Sequence, residues 1–103
     1  MDVDWMTMNS GLSKAAVHIL IQGTVQGIGY RCFALRQAKA LGIMGWVKNL
    51  ANGDVELEAQ GDKKSLEDFI ESLKTGHPWA SVQQAKISRL EGNKQYDQFV
   101  IKA

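Results

Sequence analysis

Asn52-Gly53 sits between two stretches of strand-like sequence, and this dipeptide constrains the fold more than any other feature. Both central residues of a two-residue type I′ turn need positive φ, which Asn and Gly supply at low cost. Val55, Leu57 and Ala59 alternate with Asp54, Glu56, Glu58 and Gln60 on its far side. That alternation makes a strand with one apolar face and one wet face. Met44–Leu50 reads as the strand before the turn. The hairpin therefore forces two neighbouring antiparallel strands into the middle of the chain.

The flanking segments repeat one plan on either side. Val17, Ile19 and Ile21 alternate with His18 and Gln22, a β-branched strand pattern. From Arg31 to Leu41 the residues are good helix formers, with Ala34, Ala38 and Leu41 on one face beside Phe33, and Gly42 where a helix stops. After the hairpin, Asp62 can cap a second helix. Its Leu66, Phe69, Ile70 and Leu73 follow i, i+3, i+4, i+7 spacing, and Gly76 with Pro78 ends it. Val82–Leu90 reads as a strand, Glu91–Lys94 as a turn and Tyr96–Ile101 as a last short strand. The order is βαββαβ with one added strand. The predicted fold class is α+β, a ferredoxin-like sandwich with a largely antiparallel sheet of about five strands and both helices on one face. Trp46 and Phe69 read as core residues, and Asp54, Glu56 and Glu58 as a solvated strand face.

A chain of 103 residues suits one domain. Residues 1–14 show no period and no signal-peptide pattern, so they read as a flexible tail ahead of a single domain over 15–103. The net charge of +1 gives no electrostatic pull toward nucleic acid or an anionic membrane. No apolar run approaches the roughly 20 residues that span a bilayer. The single cysteine, Cys32, excludes an intrachain disulfide and suits a reducing compartment such as the cytoplasm.

The chemistry is concentrated between the first strand and the first helix. Residues 23–31 read Gly-Thr-Val-Gln-Gly-Ile-Gly-Tyr-Arg. The glycines let the backbone turn sharply and aim N–H groups into a small cavity. The following helix adds its unpaired first amides and the positive end of its dipole. Arg31 adds a planar fork of donors where a cation is otherwise disfavoured, unless an anion arrives. The combination suits a tetrahedral oxyanion such as phosphate, without a metal. The blander reading of the loop is a tight turn. No Gly-Lys-Ser/Thr follows, so the loop is not a Walker A motif, and Cys32 replaces the third glycine of a dinucleotide fingerprint. Directly after Arg31, Cys32 lacks cysteine-phosphatase spacing and reads as a packed thiol. His18 reads as surface or half-buried. His18 and His77 are too far apart in sequence, without paired ligands, to suggest zinc. Gln26 is open to two readings, facing solvent or bracing the loop.

The stretch GTVQGIGYR followed by GIMGWVKNLANGDVELEAQG resembles the acylphosphatase signature, with Ile28 for Val and Tyr30 for the common Phe. The ending Phe99–Ala103 departs from the basic or aromatic one of many relatives. The resemblance implies hydrolysis of acyl phosphates to a carboxylate and inorganic phosphate. It implies that Arg31 and the loop residues Val25, Gln26, Gly27, Ile28, Gly29 and Tyr30 bind the phosphoryl group, and that Asn49 positions the attacking water. From the residues alone, Asn49 is a strand-end polar group no more conspicuous than Asn52.

No cofactor or metal is expected, and the expected partner is a small acyl phosphate bound by a monomer. Two other readings stand beside this one. The first is a non-catalytic phosphometabolite-binding module or a carbamoyl-phosphate-processing domain, against which the chain's end soon after its last strand favours a free-standing enzyme. The second is an RNA-binding sheet, which needs exposed aromatics that Val17–Gln22 and Asp54–Gln60 lack.

Overall fold

A computed structural model describes residues 14–91 and 95–103. The expected tail over 1–13 and the turn residues 92–94 lie outside the described residues. Strand β1 (Lys14–Thr24) leads through the glycine loop into helix α1 (Tyr30–Leu41). Strands β2 (Met44–Asn49) and β3 (Val55–Asp62) form the hairpin. Helix α2 (Lys63–Thr75), β4 (Ser81–Arg89) and β5 (Phe99–Ile101) complete the order. The α+β ferredoxin-like expectation holds: the five strands lie in the order β4-β1-β3-β2-β5. The β1–β3, β1–β4 and β2–β3 pairs are antiparallel, and β2–β5 is parallel.

The core forms between the helices and one face of the sheet. Val17, Ile19 and Ile21 of β1 and Val55, Leu57 and Ala59 of β3 are wholly buried there. Phe33, Ala34 and Ala38 of α1 and Leu66, Phe69 and Leu73 of α2 close it from above. Burying one such large side chain stabilises by about 1.5–3 kcal/mol. Asp62 caps α2, its Oδ1 accepting from the Ser65 N–H at 2.8 Å.

The structure revises several sequence readings. Lys14, placed in the tail, begins β1 and pairs with Asp62. Only Phe99–Ile101 of the expected last strand is extended into the sheet. Tyr96 instead folds over the open face of the sheet, its N–H donating to Gln60 Oε1 and its hydroxyl to Glu58. Glu58 is buried rather than solvated. Glu56, half-buried, accepts from His18 at 2.7 Å and pairs with Lys48. Trp46 is buried but outside the helix-covered core, since Val47 takes the core side of β2. Its ring lies under Lys102 Nζ, 4.3 Å from the ring centroid.

One glycine is required by close approach. Gly23 sits at a bulge in the β1–β4 pairing with φ +142°. A Cβ there would stand 2.1 Å from the Ser81 carbonyl oxygen and 2.9 Å from Gln83 N. The bulge shifts the register, and the ladder resumes with Gly23 opposite Val82 and Thr24 opposite Ser81 before β1 turns into the loop. Gly23→Ala is expected to cost about 3 kcal/mol in urea denaturation, from strain plus separation of β1 and β4. Gly27→Ala, where φ is +79° and nothing lies within 4 Å, is expected to cost about 1–2 kcal/mol.

Candidate functional site

The loop after β1 is built around two left-handed glycines, Gly27 (φ +79°) and Gly29 (φ +75°). Gly29 is the N-cap of α1 and supplies no side-chain cap. The first helical bond runs from Phe33 N to the Gly29 carbonyl at 3.0 Å. The amides of Gly29, Tyr30, Arg31 and Cys32 therefore have no carbonyl one turn earlier to bond. These four residues, with Val25, Gln26, Gly27 and Asn49, line a cavity of about 120 Å³. No acidic residue occupies the first turn of α1. The cavity thus receives converging amide donors and the positive end of the helix dipole.

Neighbouring elements hold this loop in place. The Tyr30 ring points away from the cavity into the core, and its hydroxyl donates to the Leu73 carbonyl at 2.6 Å. Burial pushes the Tyr30 phenol well above its ordinary pKa of 10.0, so it stays a donor. The Gln26 side chain braces the loop, donating from Nε2 to the Leu50 and Asp54 carbonyls, each at 2.8 Å. Those two carbonyls also accept from Gly53 N and Leu50 N respectively. Gln26 therefore ties the loop to the β2–β3 hairpin, and so to Asn49 at the end of β2.

The two asparagines divide their roles. Asn52 Oδ1 accepts from the Asp54 N–H at 3.0 Å, which makes it a turn residue. Asn49 Oδ1 is buried in the cavity wall and has no hydrogen-bond partner among the described residues. An unpaired buried acceptor costs about 1–3 kcal/mol. The Asn49 Oδ1 lone pairs are therefore open to a donor on this side of the cavity.

Arg31 is half-buried at the same wall, and its Nη1 donates to the Lys102 carbonyl at 3.4 Å. Lys102 N–H in turn donates to the Val47 carbonyl at 2.8 Å, which anchors that acceptor to β2. A guanidinium carries five donors, so most of its capacity remains for a ligand. Two expected features fall elsewhere. Ile28 does not line the cavity: its side chain packs against the core and its carbonyl meets His77 Nε2 at 3.0 Å. Cys32 is not packed but exposed at the cavity wall, because the core face of α1 runs through Tyr30, Phe33 and Ala34. Sequence reasoning also missed Lys102 and His77, since nothing local marks contacts made across 71 and 49 residues of chain. Among the described residues, no group of three or more His, Cys, Asp or Glu could hold a metal ion. No helix among them is long and apolar enough to cross a membrane.

A glycine loop, a bare helix start, an arginine and an asparagine thus line one cavity of an α+β domain. The sequence model of the Acylphosphatase family matches residues 17–101. The chain is 40% identical over 80 residues to an acylphosphatase of Chlorobaculum tepidum, covering 78% of this chain and 87% of that one. It is 42% identical over 88 residues to an acylphosphatase of Caldanaerobacter subterraneus subsp. tengcongensis, covering 85% and 98%. A solved acylphosphatase from Coxiella burnetii superposes with a TM-score of 0.83 at 32% identity, covering 92% of this chain and 99% of that one. The chain belongs to the acylphosphatase family.

The Tyr30 anchor generates a stability prediction with a definite pH sign. The folded state holds the phenol protonated and the unfolded state releases it near pH 10, so the unfolded state binds fewer protons above that point. This contribution is full below pH 10 and falls as pH rises further. Tyr30→Phe is expected to lose about 1 kcal/mol at pH 7. Urea denaturation at pH 7 and pH 11 should show the gap to wild type narrowing at the higher pH.

Proposed function

We propose that this protein hydrolyses acyl phosphates to a carboxylate and inorganic phosphate, with the phosphoryl group held by the loop and Arg31 and the water positioned by Asn49. Membership of the acylphosphatase family supports the activity. The observation that carries the residue assignment is the buried, unpartnered Asn49 Oδ1 in one cavity with four helix-start amides and Arg31.

The chemistry follows from the substrate. An acyl phosphate is a mixed anhydride, and its carboxylate leaves readily without strong protonation. What remains is to hold the phosphoryl oxygens, balance the charge that gathers on them and place a water in line. The amides of Gly29, Tyr30, Arg31 and Cys32 point donors at the equatorial oxygens. The Arg31 fork supplies the countercharge beside them. Val25, Gln26 and Gly27 shape the opposite wall, and Gln26 keeps it registered with β2. Asn49 Oδ1 accepts one proton of the water and aims its lone pair at phosphorus. A carboxamide is too weak a base to deprotonate that water near neutral pH, so its part is orientation.

Benzoyl phosphate, followed by its absorbance, tests this reading. Wild-type protein hydrolyses it and is inhibited by inorganic phosphate. Arg31→Ala is expected to lose both turnover and phosphate inhibition. Asn49→Ala is expected to lose about 10²–10³ in kcat, as when one transition-state donor is removed, while its inhibition by phosphate stays near wild type. An Asn49→Ala enzyme with most of its kcat would refute water positioning, and near-normal phosphate inhibition of Arg31→Ala would refute the phosphoryl assignment.

A further inference from the structure

His77 lies in the connection between α2 and β4, outside the cavity lining, yet it touches the loop at one backbone atom. Its Nε2 is 3.0 Å from the Ile28 carbonyl oxygen, and its Nδ1 is 3.1 Å from the Trp79 backbone nitrogen. A carbonyl only accepts and a backbone N–H only donates, so Nε2 carries the proton and Nδ1 the lone pair. The ring is further fixed by packing edge-on to Phe33, with centroids 5.2 Å apart and planes at 82°. It also lies 6.0 Å from the Tyr30 ring. His77 is thus an oriented donor aimed at the Ile28 carbonyl.

We propose that His77 is a positioning residue that locks the Ile28–Gly29 peptide so that the Gly29 amide faces the bound phosphoryl group. The inference rests on the reading of the loop as the phosphoryl site. In a trans peptide the C=O and the next N–H point in opposite directions, and the chain has no cis peptide among the described residues. With the Ile28 carbonyl turned to His77, the Gly29 N–H must point the other way. The lining agrees, since Gly29 is in the cavity wall and Ile28 is not. This peptide turns about Ile28 ψ and Gly29 φ, and glycine at 29 leaves the second of these torsions little steric reason to hold one value. Without the His77 donor it can rotate, withdraw the Gly29 amide and present a carbonyl oxygen to the anion, which repels it.

Two substitutions separate this role from simple packing. His77→Phe keeps an aromatic ring against Phe33 and removes the donor. His77→Gln removes the ring and keeps an N–H at the reach of Nε2. The proposal expects His77→Phe to weaken inhibition by inorganic phosphate about tenfold, with a matching rise in KM for benzoyl phosphate, while His77→Gln stays within about threefold of wild type. In amide NMR spectra, the Gly29 signal should shift on phosphate addition in wild type and His77→Gln and respond weakly in His77→Phe. Should Phe not be accommodated, His77→Leu serves the same comparison. Wild-type phosphate affinity in His77→Phe, or equal impairment of the Phe and Gln variants, would overturn the role of His77. Failure of the wild-type protein to bind phosphate would instead overturn the reading of the loop on which it rests.

Discussion

Four residues at the start of α1 line one cavity, and their amides have neither a helical acceptor nor a side-chain cap; the rest of the site is arranged around that fact. Most helices cover this end with a Ser, Thr, Asp or Asn. Here the N-cap is Gly29, the first turn carries no acid, and a cation, Arg31, stands where the dipole disfavours one. Such an end is costly when empty and favourable when an anion fills it. Asn49 Oδ1, in the same lining and without a partner among the described residues, makes the same statement with the opposite polarity. The cavity offers donors to an oxyanion and an acceptor to something protic beside it. A phosphoryl group with an attacking water meets both demands at once.

The fold's contribution is to keep these groups from relaxing. Each wall is fixed to a different part of the core. Tyr30 anchors the helix start to the last turn of α2 through Leu73. Gln26 staples the loop to the hairpin that ends at Asn49. The segment after β5 bonds to β2 and offers its Lys102 carbonyl to Arg31. His77 takes the outward-facing carbonyl of the loop. None of these contacts can be made by an isolated loop, so the electrostatics of the site are a property of the assembled sheet and helices. Preorganised dipoles of this kind do not have to rearrange as charge develops on the transferring group.

The fold was legible because its signals are local. Asn52-Gly53 marked the hairpin, although the turn spans Leu50–Asp54 and only Gly53, not Asn52, has positive φ; the i, i+3, i+4 spacing of Leu66, Phe69 and Ile70 marked the face of α2, and the alternation around Ile19 marked β1. The cavity's glycines and Arg31 were legible for the same reason, being contiguous in sequence. Side chains whose state depends on a distant partner were not. Glu58 alternates like a solvated residue but is buried, with its carboxylate taken by the Tyr96 hydroxyl. Cys32 reads as a packed thiol by residue type, yet its angular position on α1 carries it to the exposed cavity wall. Trp46 is large and apolar, but strand parity gives the core side of β2 to Val47 and leaves the indole under a lysine. The resemblance to a family pointed to Asn49 rather than Asn52. Only the structure shows the physical difference: one carboxamide closes a turn, and the Oδ1 of the other has no partner among the described residues.

The central claim is that the bare start of α1, Arg31 and Asn49 form one receptor for a phosphoryl group and its water. A crystal structure of the protein with bound inorganic phosphate tests it most directly. The account predicts an anion within hydrogen-bond distance of the Gly29, Tyr30, Arg31 and Cys32 amides, the Arg31 guanidinium turned onto it, and an ordered water between it and Asn49 Oδ1. A saturated crystal with only water in the cavity, Arg31 still on the Lys102 carbonyl and phosphate bound elsewhere would contradict it.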